Sequence, residues 1–214
     1  MYKKVSIPNY SLREELINTT SHGIGIIFSL LAFFILLMKT NNIKSTISII
    51  IYTITMFIMY LVSFLYHAMP KHSHLKRILR LIDHCDIFLF ISGCYTPIAL
   101  ILIGKISGFF LFVLSWSLAI LGIIVNVKNL DKYKNLSTIL YLLMGWMIIL
   151  SYNTLKKTMP QQGISLLIYG GLSYTFGAVL YMLGSKIKYM HSLFHIFVLI
   201  GSILHFFCIY LYVL

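Results

Sequence analysis

His191 and His195 stand four residues apart. On a helix that spacing sends both imidazoles from one face, one turn apart, where two histidines ligate one metal ion. Ser63 and His67 repeat the i, i+4 relation. Two of the chain's five acids, Asp83 and Asp86, lie three residues apart with His84 and Cys85 between them. Three neutral imidazoles, from His67, His191 and His195, together with a carboxylate suit a borderline ion such as Zn²⁺. Three protein ligands leave one position for water, whose pKa such an ion lowers towards about 7. Asp83 is then available to orient or deprotonate that water. The H-x-x-x-H pair lacks the glutamate of the H-E-x-x-H zincins, so the expectation depends on the elements that bring the four residues together.

Those elements read as membrane spans. Only 10% of the 214 residues are charged and 59% are hydrophobic, where a soluble domain carries about 25% charged residues; the mean hydropathy is +0.91. Seven stretches carry no charge: His22–Met38, Ile47–His67, Ile87–Ile103, Gly108–Val127, Leu136–Tyr152, Ile164–Leu183 and Leu193–Leu214. Each is long enough for a hydrocarbon core about 30 Å thick, which takes roughly 17–25 apolar residues. The expected fold is an all-α integral membrane protein, a seven-transmembrane helix bundle filling residues 1–214 as one domain. A soluble globular enzyme and a disordered chain are both excluded.

The loop charges orient the bundle. Lys3, Lys4 and Arg13, the loop with Lys71, Lys76, Arg77 and Arg80, that with Lys128, Lys132 and Lys134, and that with Lys186 and Lys188 share one side. Lys39, Lys44, Lys105, Lys156 and Lys157 are all that the other side carries. The positive-inside rule then puts the N-terminus in the cytoplasm and the C-terminus outside. The net charge of +12 becomes a cytoplasmic collar facing anionic lipid head groups. Nucleic acid is not an expected partner, because no basic run is long enough to track a backbone. The Ile-, Lys-, Asn- and Tyr-rich composition fits an AT-rich bacterial genome, hence a bacterial plasma membrane.

With this orientation His67 closes the second span, Asp83 stands just before the third, and His191 and His195 open the seventh, all at one depth near the cytoplasmic face. His22 lies on that side too, as a partner for a ligand's second nitrogen. His72 and His74 fall in the basic second loop and are expected to be solvated. His205 is 14 residues beyond His191, about 21 Å deeper at 1.5 Å per residue, and is expected to hydrogen-bond between helices. Cys94 and Cys208 read as packing residues; three cysteines without C-x-x-C spacing make no disulfide framework or zinc ribbon. Pro97 should kink the third span. Pro8, Asn9, Arg13, Glu14 and Glu15 stand where a signal peptide would have its apolar region. Ser11-Leu12-Arg13-Glu14 has the form of a capping box and predicts a short interfacial helix over Ser11–Thr20 ahead of the first span.

Several motifs resemble the bacterial haemolysin III family, relatives of the progestin/adipoQ (adiponectin) receptors within a wider group of seven-helix membrane proteins, read as metal-dependent hydrolases, that includes alkaline ceramidases. The motifs are Ser21-His22-Gly23-Ile24-Gly25, Ser63-Phe64-Leu65-Tyr66-His67, Leu81-Ile82-Asp83-His84, Gly93-Cys94-Tyr95-Thr96-Pro97 and His191-Ser192-Leu193-Phe194-His195. The resemblance covers nearly the whole chain. It implies zinc held by His67, His191 and His195, water held by Asp83, Ser63 close by, and a cytoplasmic N-terminus. Cys94 replaces the family's usual small hydroxyl residue, and Cys85 and Asp86 add a thiol and a second acid near the site. Asp86 is i+3 from Asp83, a spacing that also suits it to the same cavity, so the choice of Asp83 rests partly on the resemblance. The implied function is a zinc-dependent hydrolase acting on a membrane lipid. A non-catalytic regulator or lipid sensor with a structural zinc is the other reading. A pore-forming haemolysin is disfavoured, because a secreted toxin needs a soluble form.

Overall fold

In the computed structural model, which describes residues 5–184 and 186–214, the capping box forms. The Glu14 amide donates to Ser11 Oγ at 3.4 Å, and the Ser11 amide donates to a Glu14 carboxylate oxygen at 2.9 Å. The helix it launches, α1 (Leu12–Lys39), runs through without interruption. The expected separate interfacial helix over Ser11–Thr20 is therefore the first turns of the first span. No proline breaks it, and Gly25 is tolerated because it packs against Tyr60, whose ring a Cβ there would overlap. Lys3 and Lys4, which entered the charge count, lie outside the described residues.

A second capping box, Asn42 with Ser45, starts α2 (Ile43–Ala68). The third helix, α3 (His74–Pro97), begins well before its charge-free stretch, so Asp83, His84 and Asp86 lie within the helix, near its middle. Pro97 cannot donate a backbone hydrogen bond. Directly after it the helix widens into a π-helical turn over Ile98–Ile103 that ends at Gly104, φ 57°. This is the disturbance expected at Pro97, absorbed as a change of helical winding.

The fourth helix, α4 (Lys105–Gly145), has one non-helical residue, Asn129, with φ −166° and ψ 93°. It continues through a 3₁₀ segment (Met147–Ser151) into α5 (Tyr152–Thr158). The last two helices are α6 (Gln161–Leu183) and α7 (Met190–Tyr212). Among the described residues there is no strand. Among the described residues six helical segments are long and apolar enough to cross a membrane, and the fourth of these, Lys105–Thr158, is 54 residues long. The stretches 108–127 and 136–152, expected as two spans, both lie within it, on either side of Asn129.

α2 packs between α1 and α3, α7 between α1 and α6, and α4 against α3, while α4 and α5 touch α6 only sparsely. Phe34, Phe110, Leu121 and Leu150 face outward, as a lipid-facing surface requires. Inside, Thr53 and Thr55 return their hydroxyls to the carbonyls of Ile49 and Ile51 at 2.7 and 2.9 Å, because a bilayer offers polar groups no other partner. The two halves of α4 converge on α3. Asn126 Nδ2, before the break, donates to the His84 carbonyl at 2.9 Å, and Tyr141 Oη, after it, donates to the same oxygen. These bonds hold the turn of α3 that carries Asp83.

Candidate metal centre

The last turn of α2 and the first turns of α7 meet at one end of the bundle. His67, His191 and His195 are all buried there, and each offers a ligand atom within 4.8 Å of those of the other two. The ring centroids of His191 and His195 are 4.4 Å apart, and those of His67 lie 5.4 and 5.1 Å from them. The Nε2 atoms of all three are buried without a hydrogen-bond partner. Unpaired polar atoms in an interior are costly. Three imidazoles, borderline donors that each bring a ligand atom within 4.8 Å of the others, fit a borderline divalent cation.

The other nitrogens of two of these rings are held from α1. His67 Nδ1 lies 2.7 Å from Glu15 Oε2, and the Asn18 side-chain amide is 3.4 Å from the same nitrogen. His195 Nδ1 meets His22 Nε2, with ring centroids 4.1 Å apart. Lys76 donates to Glu15 Oε1 at 2.8 Å and to the Met69 carbonyl at 2.9 Å. Glu15, Asn18 and His22 fall at i, i+3 and i+7, one face of α1.

Asp83 is not part of the histidine trio. It lines, with Ser63, His22 and His195, one end of a cavity of about 390 Å³. Its partial exposure is to that cavity, whose wall it shares with Ser63. Away from this polar end the walls are apolar, with Phe90, Ile98, Leu167 and Val198 among them. The cavity reaches Ile149, Tyr152 and Ile164, along the loosely packed seam between the α4–α5 segment and α6.

The remaining candidates sort by place. His205 Nε2 lies 3.3 Å from the Leu167 carbonyl, the inter-helix bond expected of it. His72 and His74 are exposed. Cys94 and Cys208 sit in the apolar core, and no cysteine joins the histidine trio among the described residues. Asp86 is buried with neither oxygen partnered and is not in the cavity wall with Asp83. Two members of the expected basic collar are not outward at all. Lys76 is 1% exposed and Arg80 5% exposed, each turned inward onto a carboxylate, Glu15 and Asp131, both at 2.8 Å.

The residues before α1 cross this end of the bundle as a strap. Arg80 donates to Asp131 and to the Ser6 carbonyl at 2.8 and 2.6 Å, while the Ser6 amide donates to the other Asp131 oxygen at 2.7 Å. Asp131 lies outside the charge-free stretches. Partial burial pushes its carboxyl up, but the Arg80 guanidinium and the Ser6 amide and hydroxyl outweigh this, so it sits below the usual carboxylate range. Further along, Tyr10 stacks on His191, and the Tyr189 amide, where the backbone turns left-handed (φ 64°) to enter α7, donates to Glu14 at 2.9 Å. Glu15, Asn18 and Tyr10 were not singled out from the sequence. The helical spacing of Glu15, Asn18 and His22 was the available signal for the first two; the placing of Tyr10 depends on the path of an irregular segment.

The sequence profile of a family described as Haemolysin-III related matches residues 10–206. The chain is 36% identical to "Hemolysin-3" of Bacillus cereus over all of its own length and 98% of that protein. It is 37% identical to the "Hemolysin-3 homolog" of Bacillus subtilis (strain 168) over 95% of its length and 96% of that protein. A more distant likeness, 26% identity over 93% of the chain and 84% of the relative, is to the human "Monocyte to macrophage differentiation factor".

Proposed function

The chain belongs to the Haemolysin-III related family, and on that premise we propose that it is a zinc-dependent hydrolase of a bond in a membrane lipid. The observation that carries this reading is the set of three buried, partnerless histidine Nε2 atoms beside the polar end of a 390 Å³ cavity with otherwise apolar walls. His67, His191 and His195 hold the ion. When bound, Zn²⁺ supplies Lewis acidity, polarising a carbonyl and bringing the pKa of water towards about 7.

The protein's own groups do the rest. Asp83 accepts the proton of the attacking water and returns it to the leaving group. Ser63, which lines the same end of the cavity as Asp83, offers its hydroxyl to the developing oxyanion. The apolar walls take an acyl chain, and the sparse contact of α4 and α5 with α6 gives a lipid a lateral way in. The scissile bond is an amide or an ester of such a lipid.

The topology is part of the proposal. A continuous 54-residue segment would extend roughly 80 Å at 1.5 Å per residue, far more than one bilayer crossing. The break at Asn129 divides it into two, which makes seven spans. The loop charges put the histidine end of the bundle and the N-terminus in the cytoplasm and the C-terminus outside, in a bacterial plasma membrane. Exposed lysines and arginines of the cytoplasmic loops, Arg77 and Lys132 among them, then meet anionic lipid head groups.

Purified protein stripped of metal should lose lipid hydrolysis and regain it with Zn²⁺. Activity that persists in His191→Ala rules the mechanism out. A second reading, a non-catalytic lipid sensor in which zinc clamps α2 to α7, is favoured by one observation: Tyr10 covers His191. Under that reading Asp83→Asn is silent, whereas the hydrolase reading makes it severe.

A further inference from the structure

We infer that Glu15 is a positioning residue of the metal centre, presenting His67 to the ion from the first helix; the inference rests on the zinc reading above. The imidazole of His67 can use only one nitrogen as a ligand, and Nε2 is the one left unpartnered, Nδ1 being met by Glu15. For Nε2 to carry the lone pair, the proton must sit on Nδ1. Glu15 Oε2, 2.7 Å from Nδ1, accepts that N–H. A carboxylate in this place selects the tautomer, fixes the ring plane and raises the basicity of the ligating nitrogen.

Glu15 is itself held. Lys76 donates to its other oxygen at 2.8 Å and is anchored by the Met69 carbonyl at 2.9 Å, just past the end of the helix that carries His67. A lysine only 1% exposed is paired here because a lone buried ammonium would be prohibitive. The relay Lys76–Glu15–His67 thus joins α3, α1 and α2. His22 makes the parallel contact to His195 Nδ1 about two helical turns further along α1. α1 contributes no member of the histidine trio, yet it holds two of the three rings.

The test is zinc affinity, measured by chelator competition on the purified full chain in detergent, with the Co²⁺ absorption spectrum as a report of ligand geometry. Glu15→Ala should weaken zinc about 10–100-fold, the usual loss for a partner of a ligand, and should alter the Co²⁺ bands. Glu15→Gln keeps an acceptor oxygen for Nδ1–H and should restore most of the affinity. Because Glu15→Ala strands the Lys76 charge, the double variant Glu15→Ala/Lys76→Met is measured beside it, with melting of the metal-free protein as the folding control. Zinc binding as tight as wild type in the double variant, with only the metal-free melting point lowered, makes Glu15 a mere ion-pair partner and overturns this inference while the metal centre stands. A wild-type protein that binds no zinc overturns the proposed function and this inference together.

Discussion

Tyr10 lies flat against His191, ring centroids 4.8 Å apart and planes 14° from parallel. Its segment has no helical structure of its own, so the stack is held by what lies on either side: the Ser6–Asp131–Arg80 clasp upstream and the Ser11 cap downstream. An aromatic ring so placed shields the histidine from the aqueous side. Tyr10→Ala should leave zinc content unchanged and speed its removal by a water-soluble chelator several-fold, while Tyr10→Phe, which keeps the ring, should behave as wild type. Stopped-flow chelation reads both rates.

Elemental analysis separates the histidines. His67→Ala, His191→Ala and His195→Ala should each lose the metal, because three ligands are the minimum of the site. His205→Ala should keep it, since that ring's one polar contact is to the Leu167 carbonyl. Zinc retained in His191→Ala would contradict the site.

Asp83→Asn should bind zinc normally and hydrolyse lipid about 10²–10⁴-fold more slowly, the usual contribution of a general base. Ser63→Ala should show a smaller loss, because the serine acts beside the carboxylate and not in its place. Metal content and turnover of the same preparations distinguish the two effects.

The clasp predicts a pH dependence. Arg80 and Ser6 hold the Asp131 carboxyl below its ordinary pKa, so its contribution to stability is complete above the unfolded value of about 3.9. It is lost as pH falls through the folded value. Asp131→Asn should therefore melt below wild type at neutral pH, with the gap closing only below about pH 4. A gap that is constant across this range would show that the ionised carboxylate is not what matters.

Gly25 tests the α1–α2 contact. The Tyr60 ring it faces cannot swing away freely, because Tyr60 Oη donates to Ser202 on α7 at 2.7 Å. Gly25→Val should destabilise the fold by about 1–3 kcal/mol, the range of overpacked cores. Gly145→Ala, where a Cβ meets nothing within 4 Å, should be nearly neutral. Thermal melts in detergent compare them.

The sequence by itself determined the membrane class, the start of α1, the disturbance at Pro97 and the grouping of His67, His191 and His195. All of these follow from local rules: hydropathy over a bilayer thickness, capping residues, a missing amide, and alternation of sides along a chain with short loops. Only the tertiary structure decided that the interfacial helix is continuous with the first span, and that the segment Lys105–Thr158 runs on through the irregular Asn129 and a 3₁₀ stretch. It also turned Lys76 and Arg80 inward. A count of loop charges has no access to that, because a lysine's direction depends on whether a carboxylate from another helix stands within reach. Glu15 shows the same limit most clearly. Its neighbour Glu14 was legible as a cap because a cap is a contact three residues away. Glu15 meets His67 across 52 positions of chain, and a pairing that distant is set by how α1 and α2 pack.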